Sequence, residues 1–99
     1  MDTSPYLDAT AVRAFFAPGG TWAKEAGQRI KRRRNELGLT LEQLAGLCST
    51  TAQTLSTIEQ GDLVPRDYLR ASIAYALCES IDDIWRTLSR SRIAEVAAA

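Results

Sequence analysis

Residues 50–61 read TTAQTLSTIEQG. The run has the spacing of a helix, yet Thr, Ser and β-branched Ile are mediocre helix formers. Its one charge is Glu59. What it offers is hydrogen bonding: the amides of Gln53 and Gln60, the hydroxyls of Thr51, Ser56 and Thr57, and the methyl groups of Ala52 and the threonines. Wound as a helix, it turns Leu55 and Ile58 to one side and Gln53, Ser56 and Thr57 to the other. Other chemistry has no support. The chain has no His, no nucleophile beside a base, no glycine-rich phosphate loop and no metal-ligand spacing. The expectation is a protein that is not an enzyme, with no cofactor and no metal.

Two short helices joined by a three-residue turn would hold such a face outward. Thr40-Leu41-Glu42-Gln43 fits a capping box: the Thr hydroxyl takes the amide three residues on, and the Gln side chain reaches back. Leu41, Leu44, Ala45, Leu47 and Cys48 are the apolar positions of the helix it opens. Ser49-Thr50-Thr51 is the turn. Thr51 caps a second helix from Ala52 to about Gln60, and Gly61 stops it. Ala45 sits where the two helices cross, because a larger side chain would push them apart. Leu55 plugs the crossing from the other side, and Leu44, Leu47 and Ile58 fill the space beneath.

The flanking segments supply the body. Thr21 is the expected N-cap of a helix over 22–37, with Trp22, Ala26, Ile30 and Leu37 on one face. Arg33 and Arg34 interrupt that stripe, and Gly38 ends the helix. Pro65 stands near the start of a further helix lined by Leu69, Ile73, Ala76 and Leu77. Ser80-Ile81-Asp82-Asp83 is again read as a capping box, opening a fifth helix with Ile84, Trp85 and Leu88. From Arg90 onward the chain either extends this helix, with Ile93 and Val96 on one side, or frays. Upstream, Asp8 is placed to cap a short leader helix carrying Val12, Phe15 and Phe16, and Pro18-Gly19-Gly20 breaks it. No segment alternates with period two, so the fold is expected to be all-α. The organisation reads as a leader over 1–20, a five-helix domain over 21–88 and a tail over 89–99.

With 99 residues, 45% of them apolar, one domain with a real core is expected. No run of 18 apolar residues exists to span a membrane, and the N-terminus does not read as a secretory signal. Cys48 and Cys78 are expected as two buried thiols in a reducing cytoplasm. Basic and acidic residues balance at twelve each, but residues 24–37 hold six basic side chains against two acidic ones. Such a patch steers partners; taken alone, a solvated helix face explains it equally.

The stretch RRRNELGLTLEQLAGLCSTTAQTLSTIEQGDLVP, followed by LRASIAYALCESIDDIW, resembles the Cro and phage-repressor type of helix-turn-helix, the Xre-like family. The resemblance runs without gaps from about Ala26 to Trp85. Ser49 stands where the family usually has Gly in the turn, and Cys78 where the family often ends its fourth helix with Gly. The resemblance implies an ion pair, Arg34 with Glu59, that fixes the recognition helix to the body. It implies base-reading positions at Ala52, Gln53 and Thr57, with Ser56 and Thr51 beside them. In the major groove Gln binds adenine bidentately, and Thr and Ala methyls meet the thymine methyl. Thr40, Gln43 and Gln60 match positions the family uses near the backbone, and Arg32, Arg33 and Arg66 are further cations for phosphate. Glu42, Asp62 and Asp67 work against them.

The expected function is a sequence-specific transcriptional regulator, a repressor, bound to double-stranded DNA as a homodimer on a two-fold symmetric operator. The expected dimer surface is either Trp85 with Leu88, Ile93 and Val96, or the Val12/Phe15/Phe16 helix; either stripe could instead dock within the monomer. The alternative is a protein-interaction module, an antitoxin, antirepressor or polymerase partner, which a balanced charge also fits.

Overall fold

A computed structural model describes residues 9–86. Six helices follow in order: α1 (Ala9–Phe16), α2 (Thr21–Glu36), α3 (Leu41–Leu47), α4 (Ala52–Glu59), α5 (Asp67–Ala76) and α6 (Ile81–Ile84). No strand occurs among the described residues. The leader therefore carries α1, and the expected five-helix domain is α2–α6. Asp8, Leu88, Ile93, Val96 and the tail over 89–99 lie outside the described residues.

Helix α2 is the spine, packed against α1, α4 and α6, while α3 packs on α4 and α5. Ile30 of α2, Leu44 of α3, Leu55 and Ile58 of α4, Ile73 of α5 and Ile84 of α6 meet in one fully buried cluster. Ala45 of α3 is buried in the same cluster.

Four helices end in the same way. After α2, α3, α4 and α5 a residue takes positive φ: Gly38 at 70°, Ser49 at 55°, Gly61 at 83° and Cys78 at 57°. In each case the next residue's N–H bonds a carbonyl five residues back: Leu39 to Arg34, Thr50 to Ala45, Asp62 to Thr57 and Glu79 to Ala74. These are Schellman endings, which occupy carbonyls that the helix leaves unpaired.

Several local expectations are corrected. The N-cap of α2 is Gly20, in extended backbone with no side-chain cap, and Thr21 is the first helical residue. A Cβ at Gly20 would overlap the carbonyls of Ala14, Phe15 and Ala17, so the folded-back leader excludes any larger residue. Leu37 follows the last turn of α2 and is exposed, as is Leu47 at 62%. Leu44 and Ala45 already fill the buried side of two-turn α3. Cys48 is buried, but Cys78 is exposed, because its left-handed turn points it off the end of α5. At α6, Ser80 accepts from the Asp83 N–H at 3.1 Å. The return half of a box is not formed there, Asp being one methylene shorter than Glu.

Both apolar stripes considered for a dimer are used within the monomer as far as it is described. Trp85 is 4% exposed inside the core cluster. Phe15 is buried, and Phe16 stacks edge-on against Trp22 at 5.4 Å.

Candidate nucleic-acid interface

The anchors of α4 are Leu55, fully buried, and Ile58, at 2% exposure. They dictate which side chains face water. Gln53 and Gln60 are exposed, and Ser56, Thr57 and Ala52 are partly so. Thr51 ends its extended segment by capping the helix, its hydroxyl accepting from the Thr54 N–H at 3.1 Å and donating to the Thr54 hydroxyl at 2.9 Å. What Thr51 can offer a partner is then chiefly its methyl group. Thr57 donates its hydroxyl to the Gln53 carbonyl at 3.0 Å. That bond fixes the rotamer and leaves the methyl and an oxygen lone pair available. Gln60 donates to the Ser56 hydroxyl at 3.3 Å. Among the described residues the Gln53 carboxamide has no protein partner, so both its donor and its acceptor are open. The outward face of α4 is thus a row of amide, hydroxyl and methyl groups with no charge on it.

Arg34 and Glu59 hold this face in place. The guanidinium donates through Nε to Glu59 Oε2 at 2.7 Å and through Nη2 to Oε1 at 3.1 Å. Its Nη1 donates to the Leu39 carbonyl at 2.8 Å. Both side chains are largely buried, at 11% and 6% exposure. The hydrogen bond to Glu59 raises the Arg34 pKa above its ordinary value; burial opposes this, and the charges of Glu59 and Glu42 add to it. A two-pronged pair of this kind fixes orientation as well as distance. It ties the last turn of α4 to the spine and to the loop entering α3.

Gly27 is a packing residue behind α4 that sequence reasoning missed. A Cβ there would overlap the Glu59 carbonyl and come within 2.6 Å of the Ile58 carbonyl. Only Gly lets the α2 backbone approach α4 this closely. The signal was available: an isolated Gly inside a helical pattern carries an intrinsic penalty and so implies a packing reason.

The positions assigned to phosphate separate into two groups. Thr40 and Gln43 form the complete capping box at the start of α3, with the Thr40 N–H on Gln43 Oε1 at 2.8 Å and the Gln43 N–H on Thr40 Oγ1 at 3.1 Å. Among the described residues the Gln43 amide NH2 has no partner and can donate outward. Arg66 is exposed at the N-cap of α5, in the segment that follows α4. Arg32 and Arg33 instead line a groove of about 430 Å³ with Arg29 and Arg86 and the acidic Glu36, Glu79 and Asp83. Arg33 donates to the Leu77 carbonyl at 2.9 Å and lies 3.4 Å from Glu79 and 3.5 Å from Glu36. Its neighbours are therefore α5 and the turn after it. Arg29 is similarly turned inward, donating to the Ile84 carbonyl at 2.8 Å.

No group of three His, Cys, Asp or Glu side chains that could hold a metal occurs among the described residues. No helix among them is long and apolar enough to cross a membrane. Burial pushes the Cys48 thiol pKa up, which suits a core side chain and not a nucleophile.

Comparison with known proteins bears on the same segment. A family model described as a helix-turn-helix domain matches residues 25–83. The chain is 44% identical over 57 residues to an uncharacterized HTH-type transcriptional regulator of Methanothermobacter thermautotrophicus, covering 57% of this chain and 83% of the relative. No solved structure matches. The match spans the buried anchors, the two caps and the Arg34–Glu59 pair, and the chain belongs to the helix-turn-helix domain family, in its Cro/phage-repressor-like branch.

Proposed function

We propose that the chain is a sequence-specific DNA-binding transcriptional regulator that lays α4 in the major groove. The observation that carries this reading is the exposed, unengaged Gln53 carboxamide beside the Thr57 methyl, on a helix locked from behind by Leu55, Ile58 and the Arg34–Glu59 pair. Gln53 reads an A·T pair through adenine N6 and N7, and Ala52, Ser56, Thr57 and the Thr51 methyl complete the contact. Thr40, Gln43, Gln60 and Arg66 place the helix through backbone phosphates, with the amides at the start of α3 adding a partial positive charge. Arg33 contributes less, since it is engaged with the Leu77 carbonyl, Glu36 and Glu79, and Arg32 lies in the same groove. The name of the archaeal relative supports the regulatory role. One α4 reads only a few base pairs, so a homodimer on a two-fold symmetric operator is the economical assembly, and repression by occupancy needs no further domain. On this reading the protein works in the cytoplasm, beside the DNA.

Selection of bound duplexes from a random pool tests the reading. A consensus with A·T at one fixed position in each of two inverted half-sites is expected. Gln53→Ala should keep the helical circular dichroism and lose about 1–3 kcal/mol of preference at that position. A variant that keeps the full preference means that Gln53 does not read the base.

The second reading, a protein-interaction module, draws on Tyr68 and Tyr75, which are 68% and 87% exposed on the outer side of α5. Exposed Tyr is common at the centre of protein interfaces. If the intact chain selects no duplex while Tyr75→Ala abolishes partner capture, that reading replaces the first.

A further inference from the structure

The family match begins at residue 25, after α1 and the turn that follows it. That leader nevertheless reaches the far end of the reading helix. The Gly19 N–H donates to the Gly61 carbonyl at 2.6 Å. Gly61 is the left-handed residue that closes α4. On its other side a Cβ would come within 2.7 Å of the Lys24 Cα, so α2 also presses on this residue. The leader is in turn held to α2 by the edge-on contact of Phe16 with Trp22, and Phe15 is buried behind it. The chain from Phe16 to Gly20 therefore forms a short strap between the start of α2 and the end of α4.

We propose that this leader strap is a positioning element for DNA reading, setting the C-terminal end of α4 and with it the pitch of the Gln53–Thr57 face in the groove. The inference rests on the DNA-binding reading above. Its physical basis is leverage. Leu55, Ile58 and Arg34 hold α4 along the side that faces the body, whereas the Gly19–Gly61 bond holds the segment that leaves the helix. The amides of Gln60, Gly61 and Asp62 donate to the carbonyls of Ser56, Ile58 and Thr57, so slack at Gly61 passes straight into the turn that carries Thr57. A helix free to tilt there would still meet phosphates but would place Gln53 less well against a base edge. Loss of the strap should thus reduce discrimination more than general affinity.

The test uses the 99-residue chain with Phe16→Ala, which loosens the leader from Trp22 while leaving the core cluster intact, and Phe16→Leu as the conservative variant. Binding to the selected duplex and to a scrambled one is measured, together with amide hydrogen exchange of the free protein. In Phe16→Ala the Gln60, Gly61 and Asp62 amides should lose protection while those of Leu77 and Glu79 keep it. The ratio of specific to scrambled affinity should fall about tenfold, roughly 1.4 kcal/mol, and Phe16→Leu should restore most of it. A variant that binds both duplexes more weakly by one common factor, or that keeps the ratio whatever its exchange pattern, overturns the positioning role. An intact chain that selects no duplex overturns the parent reading, and the strap's role in it, at the first step; an intact chain that selects one while Phe16→Ala discriminates as well removes the strap alone.

Discussion

Arg34 sits with its guanidinium between two acceptors, the Glu59 carboxylate and the Leu39 carbonyl, and both ion-pair side chains are largely buried. Two of its nitrogens are on Glu59 and one is on the Leu39 carbonyl. Truncating one partner leaves the other charge buried and unpaired, and Arg34→Ala or Glu59→Ala should cost about 3–5 kcal/mol of unfolding free energy. Arg34→Lys should recover only part of that, since a single ammonium cannot bridge both carboxylate oxygens and the carbonyl. Urea unfolding of the three variants checks this; a loss below about 1 kcal/mol would mean that the pair behaves as an exposed one. The raised Arg34 pKa gives the sign of its pH dependence. The arginine's share of the stability is complete below the ordinary Arg value and is lost only as pH rises through the higher folded value. Alkaline titration to pH 10 should leave it untouched.

Two helix starts were legible because the contact that controls each is local in sequence. Thr40–Gln43 and Thr51–Thr54 lie three residues apart, and both caps stand where the spacing puts them. The Arg34–Glu59 pair spans 25 residues and was reachable only through the family resemblance and the broken apolar stripe. Leu47 misled because α3 has seven residues, and two turns of period cannot separate a buried face from its margin. The Gly20 cap and the Gly19–Gly61 bond depend on how the leader folds back, which no periodicity encodes. Helix endings yield two predictions at this scale. The four Schellman turns share one geometry, but Gly38 and Gly61 adopt it freely while Ser49 and Cys78 carry a Cβ in left-handed backbone. Ser49→Gly and Cys78→Gly should each stabilise by about 1 kcal/mol, raising the midpoint of thermal unfolding by about 4–8 °C. A drop in the midpoint would mean that the lost side chains matter more than the strain. Gly27 predicts the opposite sign. Gly27→Ala improves helix propensity by about 1 kcal/mol, yet it must separate α2 from α4. Net destabilisation is therefore expected, with weaker DNA binding; net stabilisation in thermal unfolding would show that the two backbones have room to part.

At the scale of the molecule, zero net charge is the main constraint on a DNA binder. The basic run on α2 is also weaker than its count suggests. Arg33 and Arg34 face acidic partners, Arg29 lies 3.8 Å from Glu25, and on α5 Arg70 pairs with Asp67. A cation already neutralised by its own protein displaces few counterions from DNA. The affinity should then depend only mildly on salt, with a slope of log K against log salt of about −1 to −2 per protomer, each phosphate neutralised by a cation contributing about −0.9. Low non-specific affinity follows, so selectivity must come from the Gln53–Thr57 face. Two single variants separate the cations by place. Arg66→Ala, exposed beyond α4, should weaken binding to every sequence alike and flatten the slope by about 1. Arg33→Ala should leave the slope unchanged and lower the thermal midpoint, because the Leu77 carbonyl loses its donor. Fluorescence-anisotropy titrations between 50 and 200 mM salt, as rough working limits, distinguish these outcomes. A slope of about −6 or steeper would move the phosphate contacts onto the α2 patch, and with it the face that meets DNA.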